Sequence, residues 1–252
     1  MTRARSPRDR ELITAVYGGD REAVARLLAA GVSPEAGDDD GQTALYLAAV
    51  LGGDAETVRL LLAAGADPGR PTADGDSPLC GAAVHGLTEV VRALLTAGAR
   101  PDAPEADGCT AMTWAVRNRH AATAGVLLEH GADPGVPGPD GVLPLVAAAA
   151  QGSEATVRVL LAHDAPGREA ALTEARSWRG RDVAGELRTA LVAAYERPPM
   201  TLTTVTRREN GEDGDDGATV VVEVFRDGVL TGGGERGTGH EAIAALLEGA
   251  VR

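Results

Sequence analysis

A fixed period of about 33 residues runs through most of the chain and constrains its fold more than any other feature. A glycine recurs at spacings of 34, 33 and 33 residues, and an aspartate follows 33 residues later: Gly31, Gly65, Gly98, Gly131 and Asp164. Self-similarity at such a period is the signature of stacked supersecondary units, each of which packs only on its neighbours. The sequence therefore predicts a stack of repeats.

The spacing of apolar residues predicts two helices in every period. A first helix begins near a large apolar residue that is followed three positions later by alanine, and this spacing keeps both residues on one helical face. The large residues are Leu12, Leu45, Leu79, Met112 and Leu145. A second helix carries two adjacent leucines in each period, from Leu27–Leu28 to Leu160–Leu161. We expect these leucines to form most of the core.

Capping and turn residues predict where the helices begin and end. Thr43, Ser77 and Thr110 precede first helices, where a side-chain hydroxyl can accept hydrogen bonds from the first free amides. The recurring glycine ends each second helix, because it adopts the left-handed conformation without a steric penalty. An Asp-Gly pair then predicts a turn in four periods: Asp40–Gly41, Asp74–Gly75, Asp107–Gly108 and Asp140–Gly141.

Four strings of sequence carry a specific resemblance: DGQTALYLAA, DGDSPLCGAA, DGCTAMTWAV and DGVLPLVAAA, each followed by a second helix and an ending similar to LLAAGADP. They resemble the ankyrin repeat. The resemblance implies a mainly α fold, an ankyrin-repeat solenoid of five repeats over about 8–39, 40–73, 74–106, 107–139 and 140–171, with a degenerate sixth as a cap over 172–195. The histidine usual after the first leucine is replaced by Tyr46, Cys80, Thr113 and Val146, which predicts the loss of a tethering hydrogen bond.

A different pattern begins after Pro198 and Pro199. The segments MTLTTVTRR and TVVVEVF read as two strands joined by an acidic, glycine-rich loop, which predicts a β-hairpin. The segment HEAIAALLEGAV predicts a helix with Ile243, Leu246 and Leu247 on one face. We therefore predict a small α+β appendix over 200–252. A hairpin alone is marginally stable in water, so we expect the appendix to pack against the last repeat.

Composition and charge exclude several classes of function. The net charge is −13, and all 24 basic residues are arginine with no local cluster, so nucleic acid and anionic membranes are poor partners whereas a basic protein surface is a good one. The aromatic content of 2% argues against a base-stacking platform. The two cysteines form no disulfide framework, and no signal peptide is evident, so we expect a soluble cytoplasmic protein. Abundant alanine, glycine and arginine are typical of a GC-rich genome, which favours a bacterial source.

Few residues point to catalysis, and we predict neither an enzyme nor a bound cofactor or metal. Gly232, Gly234 and Gly237 satisfy GxGxxG, but no returning strand or ribose-binding acid follows, so a loop is favoured over a dinucleotide site. His130 and His163 are one period apart in a last helical turn, where they complement the helix dipole. Of the repeat histidines, only His85 is predicted to be able to face a ligand. The alternative function is a small-molecule sensor or enzyme within 200–252.

The function implied by the resemblance is protein–protein interaction through the concave face of the stack. That face consists of the turn tips and the exposed ends of the first helices. We predict an acidic ridge at the tips beside a groove with an apolar middle. The predicted partner-binding residues are Asp39, Asp40, Gln42, Val50, Leu51, Asp74, Asp76, Val84, His85, Asp107, Arg117, Asn118, Asp140 and Gln151.

Overall fold

The structure is a computed structural model that describes residues 6–51, 53–178, 181, 182, 186, 189, 202–210, 218–226, 229–237 and 239–249. The chain is mainly helical and forms two compact units, Met1–Gly141 and Val142–Arg252. The fifth repeat therefore lies in the same unit as the C-terminal segment. Among the described residues, no helix is long and apolar enough to cross a membrane.

The first unit contains one helix pair for each of the first four repeats. The first helices are α1 (Pro7–Tyr17), α3 (Ala44–Leu51), α5 (Pro78–Val84) and α7 (Ala111–Arg117), and the second helices are α2 (Arg21–Ala29), α4 (Ala55–Ala63), α6 (Thr88–Thr96) and α8 (Ala121–Glu129). Each helix packs on its own partner and on the equivalent helices of adjacent repeats. The largest fully buried side chains of the predicted stripes include Leu45, Leu61, Leu94, Met112 and Leu127. The two-helix repeat is therefore confirmed.

Local capping chemistry sets the helix ends. The hydroxyls of Thr43, Ser77 and Thr110 accept backbone N–H hydrogen bonds at 3.1, 3.0 and 3.2 Å, as predicted for N-caps. The glycines that follow the second helices all have a left-handed φ between 80° and 97°: Gly31, Gly65, Gly98 and Gly131. Both boundary predictions are confirmed, because each depends on residues within one turn of the helix end.

A tight turn precedes the first helix of repeats two to four. Each turn is closed by a backbone hydrogen bond across four residues, for example from Asp38 N–H to the Gln42 carbonyl at 2.9 Å and from Thr72 N–H to the Asp76 carbonyl at 2.8 Å. The glycine of every predicted Asp-Gly pair has a left-handed φ, between 77° and 94°. The turns therefore place each Asp-Gly pair at an exposed tip.

The second unit contains helices α9 (Pro144–Ala150), α10 (Glu154–Ala162), α11 (Arg168–Ser177) and α12 (His240–Gly249). The pair α9 and α10 lies in the range predicted for the fifth repeat. The helix α11 packs on α9, while α12 packs on α11, α10 and α9. Ile243, Ala244 and Leu247 of α12 are fully buried, whereas Leu246 is half-buried. The predicted packing of the appendix against the last repeat is confirmed for its helix.

Three strands follow α11 in the sequence and precede α12. They form an antiparallel sheet in the order β1 (Leu202–Asn210), β2 (Ala218–Arg226) and β3 (Val229–Gly237). The two predicted strands pair as β1 and β2, with Thr206 opposite Val222. The third strand was not predicted: Gly232, Gly234 and Gly237 lie in β3, so the prediction of a loop there is wrong. Sequence reasoning failed because glycine is a poor strand former, whereas this segment is extended through its pairing with β2.

The fifth repeat departs from the others at the start of its first helix and after the end of its second helix. Leu143 occupies the N-cap position of α9 and makes no capping hydrogen bond through its side chain. Asp164 follows α10 with a φ of 56°, a left-handed conformation that a residue with a Cβ adopts at a cost. Missing a side-chain cap costs about 0.5–2 kcal/mol. The two departures together predict that α9 and α10 open more readily than the helices of repeats two to four.

We expect Asp164→Gly to raise the free energy of unfolding by about 1 kcal/mol, because glycine removes the steric cost of the left-handed conformation. Denaturant unfolding of the variant and of the wild-type chain measures this. The reciprocal change, Gly131→Asp at the equivalent position of repeat four, should lower the free energy of unfolding by a similar amount. Hydrogen exchange that is equally slow in repeats two to five would contradict the weak fifth repeat.

Candidate partner-binding surface

The predicted acidic residues lie on the exposed turn tips of the first unit. Asp39, Asp40, Asp74, Asp76, Asp107 and Asp140 are all exposed, and Gln42 is half-buried beside them. Repeats two and three build the turn with a side chain two positions before the tip, Asp38 and Thr72. In repeat two Asp38 Oδ1 accepts hydrogen bonds from the backbone N–H groups of Asp40 and Gln42, at 3.1 and 2.8 Å. The Asp40 carboxylate is therefore not what holds this turn.

The tip aspartates differ in what they contact. Asp107 Oδ1 accepts the Cys109 N–H at 2.8 Å, and the Asp140 carboxylate lies 3.5 Å from the Arg117 guanidinium. Within the described residues, the side chains of Asp40, Asp74 and Asp76 accept no hydrogen bond and form no ion pair. These three carboxylates are thus exposed negative charges without a role in the turn.

The predicted residues at the ends of the first helices have mixed exposure. Leu51 and His85 are exposed, Val50 and Val84 are half-buried, and Leu51 keeps 54% of its surface accessible. Val50 lies over the bare backbone of Gly81, since a Cβ there would come within 2.5 Å of Val50 Cγ1. The chain therefore has an apolar strip at this end of α3 and α5.

The remaining predicted residues are polar. The Arg117 guanidinium is 5.7 Å from the centre of the Trp114 ring, and the Asn118 side-chain amide donates to the Trp114 carbonyl at 2.9 Å. Asn118 is the C-cap of α7. Gln151 is the C-cap of α9 and is half-buried in the second unit. The first unit therefore brings together all the predicted residues except Gln151.

Sequence reasoning missed three aromatic side chains on the first helices, Tyr17, Tyr46 and Trp114. Tyr17 is 52% exposed and its hydroxyl donates to Asp38 Oδ2 at 2.7 Å; this hydrogen bond and partial burial raise its pKa. Burial and the neighbouring carboxylates of Asp76, Glu105 and Asp74 raise the pKa of Tyr46. The whole chain has six aromatic residues, and three of them lie on these first helices. This concentration was a signal of the surface, but it was overlooked because the aromatic content of the chain is low.

Glu105 connects repeats three and four behind the tips. Its Oε1 accepts the N–H of Ser77, the N-cap of α5, at 2.7 Å, and its Oε2 accepts the Trp114 indole N–H at 2.9 Å. Burial raises the pKa of Glu105 although both hydrogen bonds oppose that shift. The carboxylate therefore orients Trp114 and supports the start of α5, which makes it a structural element of the surface.

A sequence profile described as ankyrin repeats, three copies, matches residues 12–105, 48–137 and 96–173. The chain belongs to the ankyrin-repeat family. A search of curated proteins found no match. Ankyrin repeats are generally protein–protein interaction modules, and proteins built from them are typically scaffolds without enzymatic activity.

At the position where an ankyrin repeat usually carries histidine, repeat four has Thr113. The predicted loss of the tether is wrong there, because the Thr113 hydroxyl accepts the Thr110 N–H at 3.3 Å while Thr110 caps Thr113 in return. This reciprocal capping box satisfies both amides. Threonine therefore replaces the tether by local chemistry that a comparison of residue types did not anticipate.

Two of the histidines and both cysteines of the ankyrin repeats have structural roles. His130 is the C-cap of α8, and its Nδ1 lies 2.9 Å from the Val126 carbonyl. His163 is the C-cap of α10, in agreement with its predicted position at the end of the second helix. Burial raises the pKa of Cys80 to about 12 and that of Cys109 to about 11, so both thiols are protonated at neutral pH. Among the described residues, no group of three metal-binding side chains is present.

Proposed function

We propose that the turn tips and first helices of repeats one to four bind a basic surface on a partner protein. The observation that carries this proposal is the combination of unpaired carboxylates, Asp40, Asp74 and Asp76, with the exposed apolar side chains of Tyr17 and Leu51. Aromatic and apolar anchors surrounded by charge are typical of the centre and rim of a protein interface.

The charges on the second helices support this choice of face. There three arginines are already paired with carboxylates: Arg21 with Asp54 at 2.8 Å, Arg92 with Glu129 at 3.1 Å, and Arg59 with Glu89 at 3.5 Å. Each pair joins one repeat to the next. The second-helix face is therefore locally neutralised, while the tips carry negative charge that no arginine offsets at Asp40, Asp74 and Asp76.

Removal of these three charges should slow association without changing the fold. We expect Asp40→Asn, Asp74→Asn and Asp76→Asn together to slow association with a partner protein captured from native cell extract roughly tenfold at low salt, because electrostatic steering acts on the encounter. The difference should shrink as ionic strength rises. Surface plasmon resonance at several salt concentrations measures the rate, and circular dichroism verifies unchanged helicity.

A matched control removes the same net charge elsewhere. Glu22, Glu169 and Glu241 are exposed, and within the described residues their side chains form no hydrogen bond or ion pair. The triple variant Glu22→Gln, Glu169→Gln and Glu241→Gln should leave association close to the wild-type rate. Equal slowing by the two triple variants would show that net charge alone matters and would remove the binding site from the turn tips.

A further inference from the structure

We propose that α11 and α12 are the two helices of a sixth ankyrin repeat, and that residues 179–238 are an insertion in the turn between them. The residue pattern by itself instead predicts an α+β appendix that follows a degenerate cap over 172–195. Residues 179–200 lie outside the described part of the chain, except for 181, 182, 186 and 189. The proposal therefore rests on α9 to α12.

The packing of α11 and α12 follows the pattern of the other repeats. The helix α11 packs on α9, the preceding first helix, as α7 packs on α5. The helix α12 packs on its partner α11 and on α10, the preceding second helix, as α8 packs on α7 and α6. A helix that only covered the end of the stack would not need to meet both neighbours in this order.

The buried face of α12 has the spacing of a second helix. In the fifth repeat Ser153, Thr156, Val157 and Leu160 are all fully buried. In α12 the buried residues are His240, Ile243, Ala244 and Leu247, with exposures of 3%, 0%, 0% and 0%. Both sets fall at relative positions 0, 3, 4 and 7. The register matches, with His240 at the position of Ser153.

A histidine contact marks the same register. In repeat four, His120 Nε2 lies 3.1 Å from the carbonyl of Val84, the last residue of α5. In α12, His240 Nε2 lies 3.2 Å from the carbonyl of Ala150, the last residue of α9. Each ring thus reaches from the start of a second helix to the end of the first helix in the preceding repeat.

The two ends of the insertion meet. Trp178 is the C-cap of α11, and its ring stacks on His240 with 5.2 Å between ring centres and 19° between planes. Arg181 follows the end of α11, and its guanidinium lies 3.9 Å from the centre of the Trp178 ring. The N–H of Gly239 donates to the Gly152 carbonyl at 3.2 Å, which fixes the returning chain on the turn of the fifth repeat.

Joining Trp178 directly to Gly239 tests the insertion, because the new turn Trp178–Gly239–His240 has the same length as Gln151–Gly152–Ser153 between α9 and α10. We expect this shortened chain to fold, to keep wild-type hydrogen-exchange protection in α9 to α12, and to melt at an equal or higher temperature. Removal of an insertion lowers the entropy lost when its ends are brought together.

A second variant tests whether any loss of protection comes only from strain at the new Trp178–Gly239 joint. It keeps the full connection but replaces residues 202–237 by a Gly-Ser linker. Wild-type protection of α9 to α12 in either variant supports the insertion, and loss of this protection in both overturns it. A chain that ends at Arg197, and so lacks α12, should lose protection in α9 to α11; retained protection there also overturns the proposal. These readouts report folding and do not depend on partner binding.

Discussion

Substitution of Leu247 by alanine should lower the free energy of unfolding of the second unit by about 2–5 kcal/mol, because it leaves a cavity among fully buried side chains. Leu247 has no exposed surface, and its neighbours on the same face, Ile243 and Ala244, have none either. The backbone carbonyl of Leu247 also accepts the Arg168 side chain at 3.0 Å, which ties α12 to the start of α11. Denaturant unfolding followed by circular dichroism measures the loss.

The adjacent leucine provides the control. Leu246 is half-buried, so Leu246→Ala should cost only about 1 kcal/mol. Hydrogen exchange should show that Leu247→Ala exposes the amides of α11 and α9 as well as those of α12, because these helices share one core. Equal, small effects of the two substitutions would mean that α12 contributes little to the stability of the second unit.

Substitution of Gly86 by alanine should lower the free energy of unfolding by about 2–5 kcal/mol. Gly86 has a φ of 65°, and a Cβ there would lie 2.6 Å from Nδ1 and 2.8 Å from Cε1 of the His120 ring. The backbone conformation costs roughly 1–2 kcal/mol for a residue with a Cβ. Displacing the ring adds about 1–3 kcal/mol and disturbs its contact with the Val84 carbonyl.

Gly19 isolates the backbone contribution. It occupies the equivalent turn of the first repeat with a φ of 63°, and nothing lies within 4 Å of a Cβ built there. We therefore expect Gly19→Ala to cost only the backbone part, roughly 1–2 kcal/mol. In a background that carries His120→Ala, the cost of Gly86→Ala should fall towards that of Gly19→Ala. A cost for Gly86→Ala that His120→Ala leaves unchanged would rule out the steric explanation.

Local features of this chain could be predicted from the sequence alone. The period, the two helices of each repeat, the caps at Thr43, Ser77 and Thr110, and the left-handed glycines all depend on interactions within a few residues. Such interactions leave a direct trace in residue type and spacing. The exposed tips could be predicted for the same reason, since an Asp-Gly turn places its own residues towards solvent.

Contacts between distant segments were decided by the tertiary structure. The strand β3 exists because β2 pairs with it, although Gly232 and Gly234 disfavour a strand. The role of Tyr17 depends on Asp38, 21 residues later, and Glu105 accepts a hydrogen bond from the Ser77 N–H, 28 residues earlier. His240 meets a carbonyl 90 residues away. No local pattern of residue types records such pairings, because packing between segments depends on where the chain returns rather than on its local sequence.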